Sequence, residues 1–165
     1  MKITELTQKS WVVFDDFTPD GKCETIKAQV IQTGENNTVK CQRGDEIYIR
    51  SCDILFPIVV TDDDLINNGF RFRQVTPQLK DFSIEKRTKI EDCEAEEVAV
   101  VSIRIREDDT EAYDVCVEKH LEWQPAQRKN ILQFERWGLL STHELQRYLR
   151  EAGFCELADN YKLED

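Results

Sequence analysis

Three side chains that could supply a nucleophile, an acid and a base alternate along one stretch of the chain, as Cys116, Glu118 and His120. Residues two apart on a β-strand share a face and lie about 6.5–7 Å apart. A catalytic thiol needs its base within hydrogen-bond reach, and this separation exceeds that reach for most rotamers. The pattern therefore favours a half-exposed strand face over a catalytic site.

The histidines and acidic clusters give no metal site. His143 and Glu144 resemble the start of a zinc-protease helix, but that motif needs a second histidine at position 147, which is arginine. The aspartates at 62–64 fall where carboxylates cap a helix and pair with its dipole, so we interpret them as capping residues. The sequence predicts neither a metal nor another cofactor.

The cysteines are spaced too widely to form a ligand set. Six of them occur in the 165 residues, at positions 23, 41, 52, 93, 116 and 155. No two stand at the short spacing typical of zinc ligands, and nothing in the sequence indicates a secreted disulfide framework. We predict six reduced thiols.

Basic and aromatic side chains interleave where Arg71 and Arg73 alternate with Phe70 and Phe72. Some platforms for single-stranded nucleic acid combine these residue types, and Arg71 and Arg73 would be the contacts. However, the net charge is −11, and residues 81–165 hold 21 acidic against 12 basic side chains. Because phosphate contacts need local cations, nucleic acid is the alternative partner and not the expected one.

Large apolar side chains cluster late in the chain. Residues 131, 132, 134 and 137 have roughly helical spacing, which predicts a helix over 126–137 that ends at Gly138. Trp123, Phe134 and Trp137 exceed what such a short segment needs for its own burial. We expect these three residues to form an interaction surface for a protein partner or a second copy.

The N-terminal third predicts a small barrel. Five β-rich runs separated by glycine-, proline- and asparagine-containing turns fit between Ser10 and Phe56, at residues 11–14, 25–32, 38–42, 46–50 and 52–56. Within the fourth run, Ile47 and Ile49 share one face, as expected of a strand with one side in a core. We predict an SH3-like barrel, with an OB-like barrel or an open sheet as alternatives.

Two short helices carry start and stop signals. Thr61 precedes an acidic first turn, which predicts a helix that begins at Asp62 and ends at Gly69. A second helix, about one turn longer, is predicted after Ser141 and ends at Gly153. Both glycines are expected to adopt the left-handed conformation.

Between these helices the apolar residues recur at every second position. Residues 98–106 and 113–123 read as two long strands joined by the polar stretch 107–111, which predicts an antiparallel hairpin. The predicted fold class is α+β, with an SH3-like barrel at residues 1–58. Residues 59–165 would hold the capped helix, the hairpin region and C-terminal helices.

Four short segments carry a family resemblance. They are Phe56-Pro57-Ile58-Val59-Val60-Thr61 and the later Asn68-Gly69-Phe70 in the centre, with Ser10-Trp11-Val12-Val13 and His143-Glu144-Leu145-Gln146 on the flanks. In these segments the chain resembles a family of small uncharacterised proteins of gut anaerobic bacteria and their phages or mobile elements. Valine at 60 and threonine at 142 depart from the family pattern, and residues 81–140 are longer than in its common short form. The resemblance implies an architecture and carries over no catalytic residue.

Together these features predict a non-catalytic protein-interaction module, for which the family resemblance implies a phage or mobile-element origin. No run of 18 apolar residues and no apolar leader occurs, so we expect a cytoplasmic protein that does not enter membranes. The alternative is a small-barrel protein associated with nucleic acid, whose acidic C-terminal half acts as an electrostatic screen.

Overall fold

The computed structural model describes residues 6–91, 95–108 and 111–163, and its fold is α+β. Nine strands and three α-helices follow the chain in this order: β1 Trp11–Phe17, β2 Cys23–Thr33, β3 Thr38–Arg43, β4 Glu46–Ser51, α1 Asp62–Asn67, β5 Arg71–Thr76, β6 Leu79–Lys89, β7 Glu96–Arg106, β8 Ala112–Leu121, β9 Lys129–Trp137, α2 Thr142–Glu151 and α3 Cys155–Asp159.

The first four strands form one antiparallel sheet in the order β1-β2-β3-β4. Four of the five predicted strands are therefore confirmed, but the fifth is wrong: Cys52–Ile54 form a 3₁₀ helix, and only Phe56 then pairs with Val13 of β1. The Ser51 side chain accepts from the Asp53 N–H, which caps this helical turn and stops the strand. No closed barrel forms among the described residues.

The inner face of this sheet carries the hydrophobic core of the N-terminal third of the chain. Phe14 and Val12 of β1 are fully buried, and Tyr48 of β4 packs edge-on to Phe14 with ring centroids 5.3 Å apart. The expectation that Ile47 and Ile49 face a core is wrong, because they are 55% and 66% exposed. Residues opposite each other on paired strands point to the same face of a sheet. Because Tyr48 is opposite the buried Cys41, the face of β4 that carries Tyr48 turns inward.

The remaining five strands form a second antiparallel sheet in the order β5-β6-β7-β8-β9. The predicted hairpin is confirmed, since β7 and β8 pair over ten positions from Glu97↔Leu121 to Arg106↔Ala112. The predicted alternation is also found: Val101, Ile103 and their neighbours Val115 and Val117 are at most 1% exposed. This row is the apolar face of the sheet.

The helix predicted over 126–137 is wrong, because Lys129–Trp137 form β9. Leu132 and Phe134 pair with Val117 and Val115, so these apolar side chains continue the apolar face of the sheet with period two. Ile131 is the extra residue of a bulge, which brought the pattern close to helical spacing. Pairing with β8 buries these apolar side chains against the sheet, which outweighs the local helical spacing.

Helix α1 begins and ends as the sequence predicts. The Thr61 hydroxyl accepts from the Asp64 N–H at 3.0 Å, and the Asp64 carboxylate accepts from the Thr61 N–H at 3.0 Å, which completes a capping box. Gly69 follows with φ +88°. The buried Asn68 side chain then donates to the Lys162 carbonyl at 2.7 Å and accepts from the Lys162 N–H at 2.8 Å.

Helix α2 starts one residue after Ser141 and closes before Gly153, whose φ is +85°, so both predicted signals are confirmed. Its Gln146 side chain is fully buried. The amide accepts from the Trp11 N–H at 3.1 Å and donates to the Lys9 carbonyl at 2.9 Å. This glutamine satisfies the backbone where β1 begins.

The chain divides into two compact units, Met1–Val60 with Ser141–Tyr148, and Thr61–Leu140 with Leu149–Asp165. The sequence predicts a division into domains between residues 58 and 59. Independent folding of these domains stays a prediction. Among the described helices, none has both the length and the apolar character needed to cross a bilayer.

Candidate functional site

A cavity of about 670 Å³ crosses the five-stranded sheet at right angles to its strands. Each strand contributes three consecutive residues, and these are Arg71, Phe72, Arg73, Asp81, Phe82, Ser83, Ser102, Ile103, Arg104, Asp114, Val115, Cys116, Gln133, Phe134 and Glu135. The pairing register places the members of each triplet side by side across the sheet.

The cavity opens on the polar face of the sheet. The central residue of three triplets, Phe82, Ile103 or Val115, is at most 1% exposed, so these side chains cannot line an open space. Side chains on either side of them point to the opposite face, because neighbours along a strand alternate. The open space is therefore bounded by polar side chains, and we call it the polar groove.

One row of polar side chains forms the floor of the polar groove. The small Ser83, Ser102 and Cys116, followed by Gln133, are opposite one another on successive strands. The neighbouring row on the same face is charged, and we call it the charged wall; it contains Asp81, Arg104, Asp114 and Glu135. The three small side chains leave open space beside the long Arg104 and Glu135.

The charged wall is held by ion pairs. Arg104 Nε donates to Asp81 Oδ1 at 2.9 Å, and Arg73 Nη2 lies 3.8 Å from Asp81 Oδ2. Arg106, one position beyond the wall, pairs with Glu135 and lies 3.5 Å from Asp114. These contacts fix the side chains in place while leaving them partly exposed.

The lining is electrically balanced. Three arginines, at 71, 73 and 104, face three carboxylates, at 81, 114 and 135. A surface that tracks a polyphosphate needs an excess of cations, which the polar groove lacks. The polar groove instead offers cationic hydrogen-bond donors and anionic acceptors, which suit a partner that carries both charges itself.

Cys116 is not prepared for nucleophilic catalysis. Burial raises the pKa of its thiol above the ordinary value, and the nearby Glu118 carboxylate raises it further. The thiol therefore stays protonated near neutral pH, whereas the thiolate is the nucleophile. Its hydrogen-bond contact is Asn130 Oδ1 at 3.8 Å. Glu118 and His120 share its strand face, but Glu118 pairs with Arg128 Nη1 at 3.1 Å.

The structure separates the three residues predicted to form one interaction surface. Trp137 is 71% exposed at the start of the β8–β9 ladder, opposite Ala112, while Trp123 is 64% exposed beyond the other end of β8. The ten residues of β8 lie between them, which is about 30 Å of strand. Phe134 belongs to the apolar face and packs edge-on to Tyr113.

The two predicted nucleic-acid contacts lie together at one end of the polar groove. Arg71 and Arg73 are both exposed on β5, at an edge of the sheet. Of the two aromatic rings that alternate with these arginines, Phe70 is buried whereas Phe72 is 45% exposed. Sequence reasoning missed the serines and the charged wall, since their alignment depends on the register of five strands.

The remaining candidates give no site. Among the described residues, no group of three histidine, cysteine or acidic side chains is arranged to hold a metal. Five cysteines are free thiols in the structure, and Cys93 lies outside the described residues. His143 is buried in the first turn of α2, and Asp62 pairs with Lys80 Nζ at 2.6 Å.

Searches against protein-family models, curated proteins and solved structures find no match to this chain.

Proposed function

We propose that the protein is a non-catalytic interaction module and that the polar groove binds a segment of another protein. The observation that carries this proposal is the balanced lining of a 670 Å³ cavity by three arginines and three carboxylates. A peptide backbone offers both donors and acceptors, and its side chains offer both charges, so it complements such a surface. The thiol form of Cys116 supports a binding role over a catalytic one.

We expect Trp137 to be the residue of this chain that anchors the partner. The alternation of β9 puts it on the same face as Glu135 and Gln133, next to the charged wall. Tryptophan is enriched among residues that dominate binding energy, particularly where neighbouring groups exclude water. Its 71% exposure leaves most of the indole available to a partner.

The test compares two tryptophans of similar exposure, Trp137 of β9 opposite the first residue of β8 and Trp123 beyond the last residue of β8. The immobilised full-length chain captures partners from a lysate of its own cells, and mass spectrometry quantifies each captured protein. We expect Trp137→Ala and Ser102→Arg, which fills the groove floor, to lose the same partner while Trp123→Ala retains it. Circular dichroism confirms that the strands persist. A partner retained by both groove variants contradicts the proposed site.

Nucleic-acid association is the second candidate, and the exposed pair Arg71 and Arg73 is what favours it. Arg73 has 76% of its side chain exposed, and its ion pair with Asp81 is long at 3.8 Å. Fluorescence anisotropy with labelled single-stranded DNA and RNA oligonucleotides tests it. We expect no saturation at micromolar protein. Binding that falls steeply with salt and disappears in the Arg71→Ala, Arg73→Ala double variant would instead establish this candidate.

We also propose that the first unit is an SH3-like barrel. Val13 and Phe56 exchange two backbone hydrogen bonds, of 3.1 and 2.8 Å, so chain beyond the 3₁₀ helix pairs with the outer edge of β1. Arg50 of β4 pairs with Asp16 of β1 across the inner face, which supports strong curling of the sheet. Slow amide exchange at both Val13 and Phe56 is the expected NMR result, and fast exchange at Phe56 would argue for an open sheet.

A phage or mobile-element origin, implied by the family resemblance, belongs to the same proposal. A partner encoded beside this chain in such an element would support it.

A further inference from the structure

The edge strand β4 presents backbone groups that could pair with another strand. In the described part of the chain, β4 pairs with β3 alone. The Cys52 N–H donates to the Asn37 carbonyl at 2.9 Å, and hydrogen-bonded pairs alternate along an antiparallel ladder. The N–H and C=O groups of Ile47 and Ile49 therefore point away from β3. The Ile49 carbonyl accepts from Arg50 Nη1 at 3.0 Å, which agrees with that direction.

The other described sheet edges carry features that hinder pairing. Phe56 already occupies the outer edge of β1 at Val13. Both β5 and β9 are interrupted by register shifts, and β5 carries two arginines without an acidic residue. Natural sheets protect their edges by such bulges and charges. The β3–β4 ladder has no shift, and β4 exposes two isoleucines.

The sequence of β4 is complementary to itself in the antiparallel direction. Glu46, Ile47, Tyr48, Ile49 and Arg50 read acid, apolar, aromatic, apolar and base. When two copies pair with Tyr48 on a two-fold axis, each Glu46 lies opposite an Arg50 and each Ile47 opposite an Ile49. A two-fold interface requires this self-complementarity. We propose that β4 pairs with β4 of a second copy and joins two four-stranded sheets.

The backbone geometry and the side chains select the same register. In such a pair, the backbone N–H and C=O groups that point away from β3 must bond to the same kind of groups in the second copy. Ile47 can therefore be opposite residue 47, 49 or 51 of the second copy. Only the pairing with residue 49 places both isoleucines against isoleucines and both acids against bases. The Ile49 carbonyl then accepts from the Ile47 N–H of the second copy. Arg50 Nη1 is released toward Glu46, while Arg50 Nη2 keeps its ion pair with Asp16.

Sedimentation velocity of the full-length chain tests the proposal. The wild-type mass should rise from 19.4 kDa toward twice that value as concentration increases. Ile49→Lys should raise the dissociation constant at least about tenfold, because it buries a charge against isoleucine. The matched control is Ile131→Lys, the same change on the edge strand β9, which should leave dimerisation unchanged. Both side chains are exposed, so neither change disturbs a core.

Disulfide trapping tests the register. In a background with Cys23, Cys93 and Cys155 changed to serine, the Ile47→Cys and Ile49→Cys chains are oxidised separately and as a mixture. Directly opposed residues lie about 5.5 Å apart between Cα atoms, within the range a disulfide spans. The mixture should therefore cross-link efficiently, and each variant alone should not.

Three outcomes overturn the proposal. One is a wild-type chain that stays monomeric up to about 100 µM. Another is dissociation by Ile131→Lys with no effect of Ile49→Lys, which moves the interface to β9. The third is efficient cross-linking of Ile49→Cys with itself, which requires a different register. None of these outcomes bears on the polar groove, because Trp137→Ala and Ser102→Arg change neither β4 nor its register.

Discussion

Replacement of Gly69 separates the cost of backbone conformation from the cost of crowding. Gly69 has φ +88°, where an L-residue is strained by about 1–2 kcal/mol. A Cβ added there would meet Ile84 Cδ1 at 3.8 Å, which is ordinary van der Waals contact. The space is therefore sufficient, and strain alone sets the cost. We expect losses of unfolding free energy of about 0.5 kcal/mol for Gly69→Asn, 1 for Gly69→Ala and 2 for Gly69→Val.

Urea denaturation followed by circular dichroism measures these values, with equal slopes required before the free energies are compared. Gly21 provides the control, since its φ is +81° and a Cβ there would meet nothing within 4 Å. Gly21→Ala should cost about as much as Gly69→Ala, because both replacements pay the same conformational strain. A neutral Gly69→Val would refute a left-handed helix stop, and a loss above about 4 kcal/mol would show crowding that the 3.8 Å distance excludes.

Three other perturbations test single contacts. Thr61→Ala removes one half of the capping box and should lower the unfolding free energy by about 1 kcal/mol in urea denaturation, whereas Thr61→Ser should not. Two carboxylates raise the pKa of Lys80, so its stabilisation is present below the unfolded-state pKa and is lost as pH rises through the folded-state pKa. Lys80→Met should cost about 0.5–1 kcal/mol at pH 7, and its difference from wild type should shrink at strongly alkaline pH. Alkylation at pH 7.5, followed by mass spectrometry, should modify Cys116 more slowly than the exposed Cys155, because burial raises the pKa of the Cys116 thiol. Equal rates of alkylation would contradict this expectation.

Local signals predicted the elements whose cause is local. Thr61 and Gly69 mark α1 because capping and left-handed φ depend on a few neighbouring residues. The strand β9 was missed because a bulge at Ile131 mixes its period-two pattern with helical spacing, and because its partner strand is nonlocal. The inward face of β4 differs from the expected one, since Tyr48 and Arg50 turn inward and the two isoleucines are exposed.

The polar groove depended on information that no single stretch of sequence contains. Its floor joins Ser83, Ser102, Cys116 and Gln133 from four strands, and a one-residue slip in any pairing would remove its contribution. The sequence did supply one signal, the alternation that put Cys116 on the polar side of β8.

The buried amides of Gln146 and Asn68 have a consequence for the order of events during synthesis. Gln146 bonds to Lys9 and Trp11 across sequence separations of 137 and 135 residues, and Asn68 bonds to Lys162 across 94. At about 5–20 residues per second, a ribosome needs roughly 5–20 s to travel from Asn68 to Lys162. For most of that interval, until Ser141–Tyr148 is synthesised, both β-sheet units of the nascent chain lack a segment that completes them. A chain that terminates before Ser141 leaves neither unit whole.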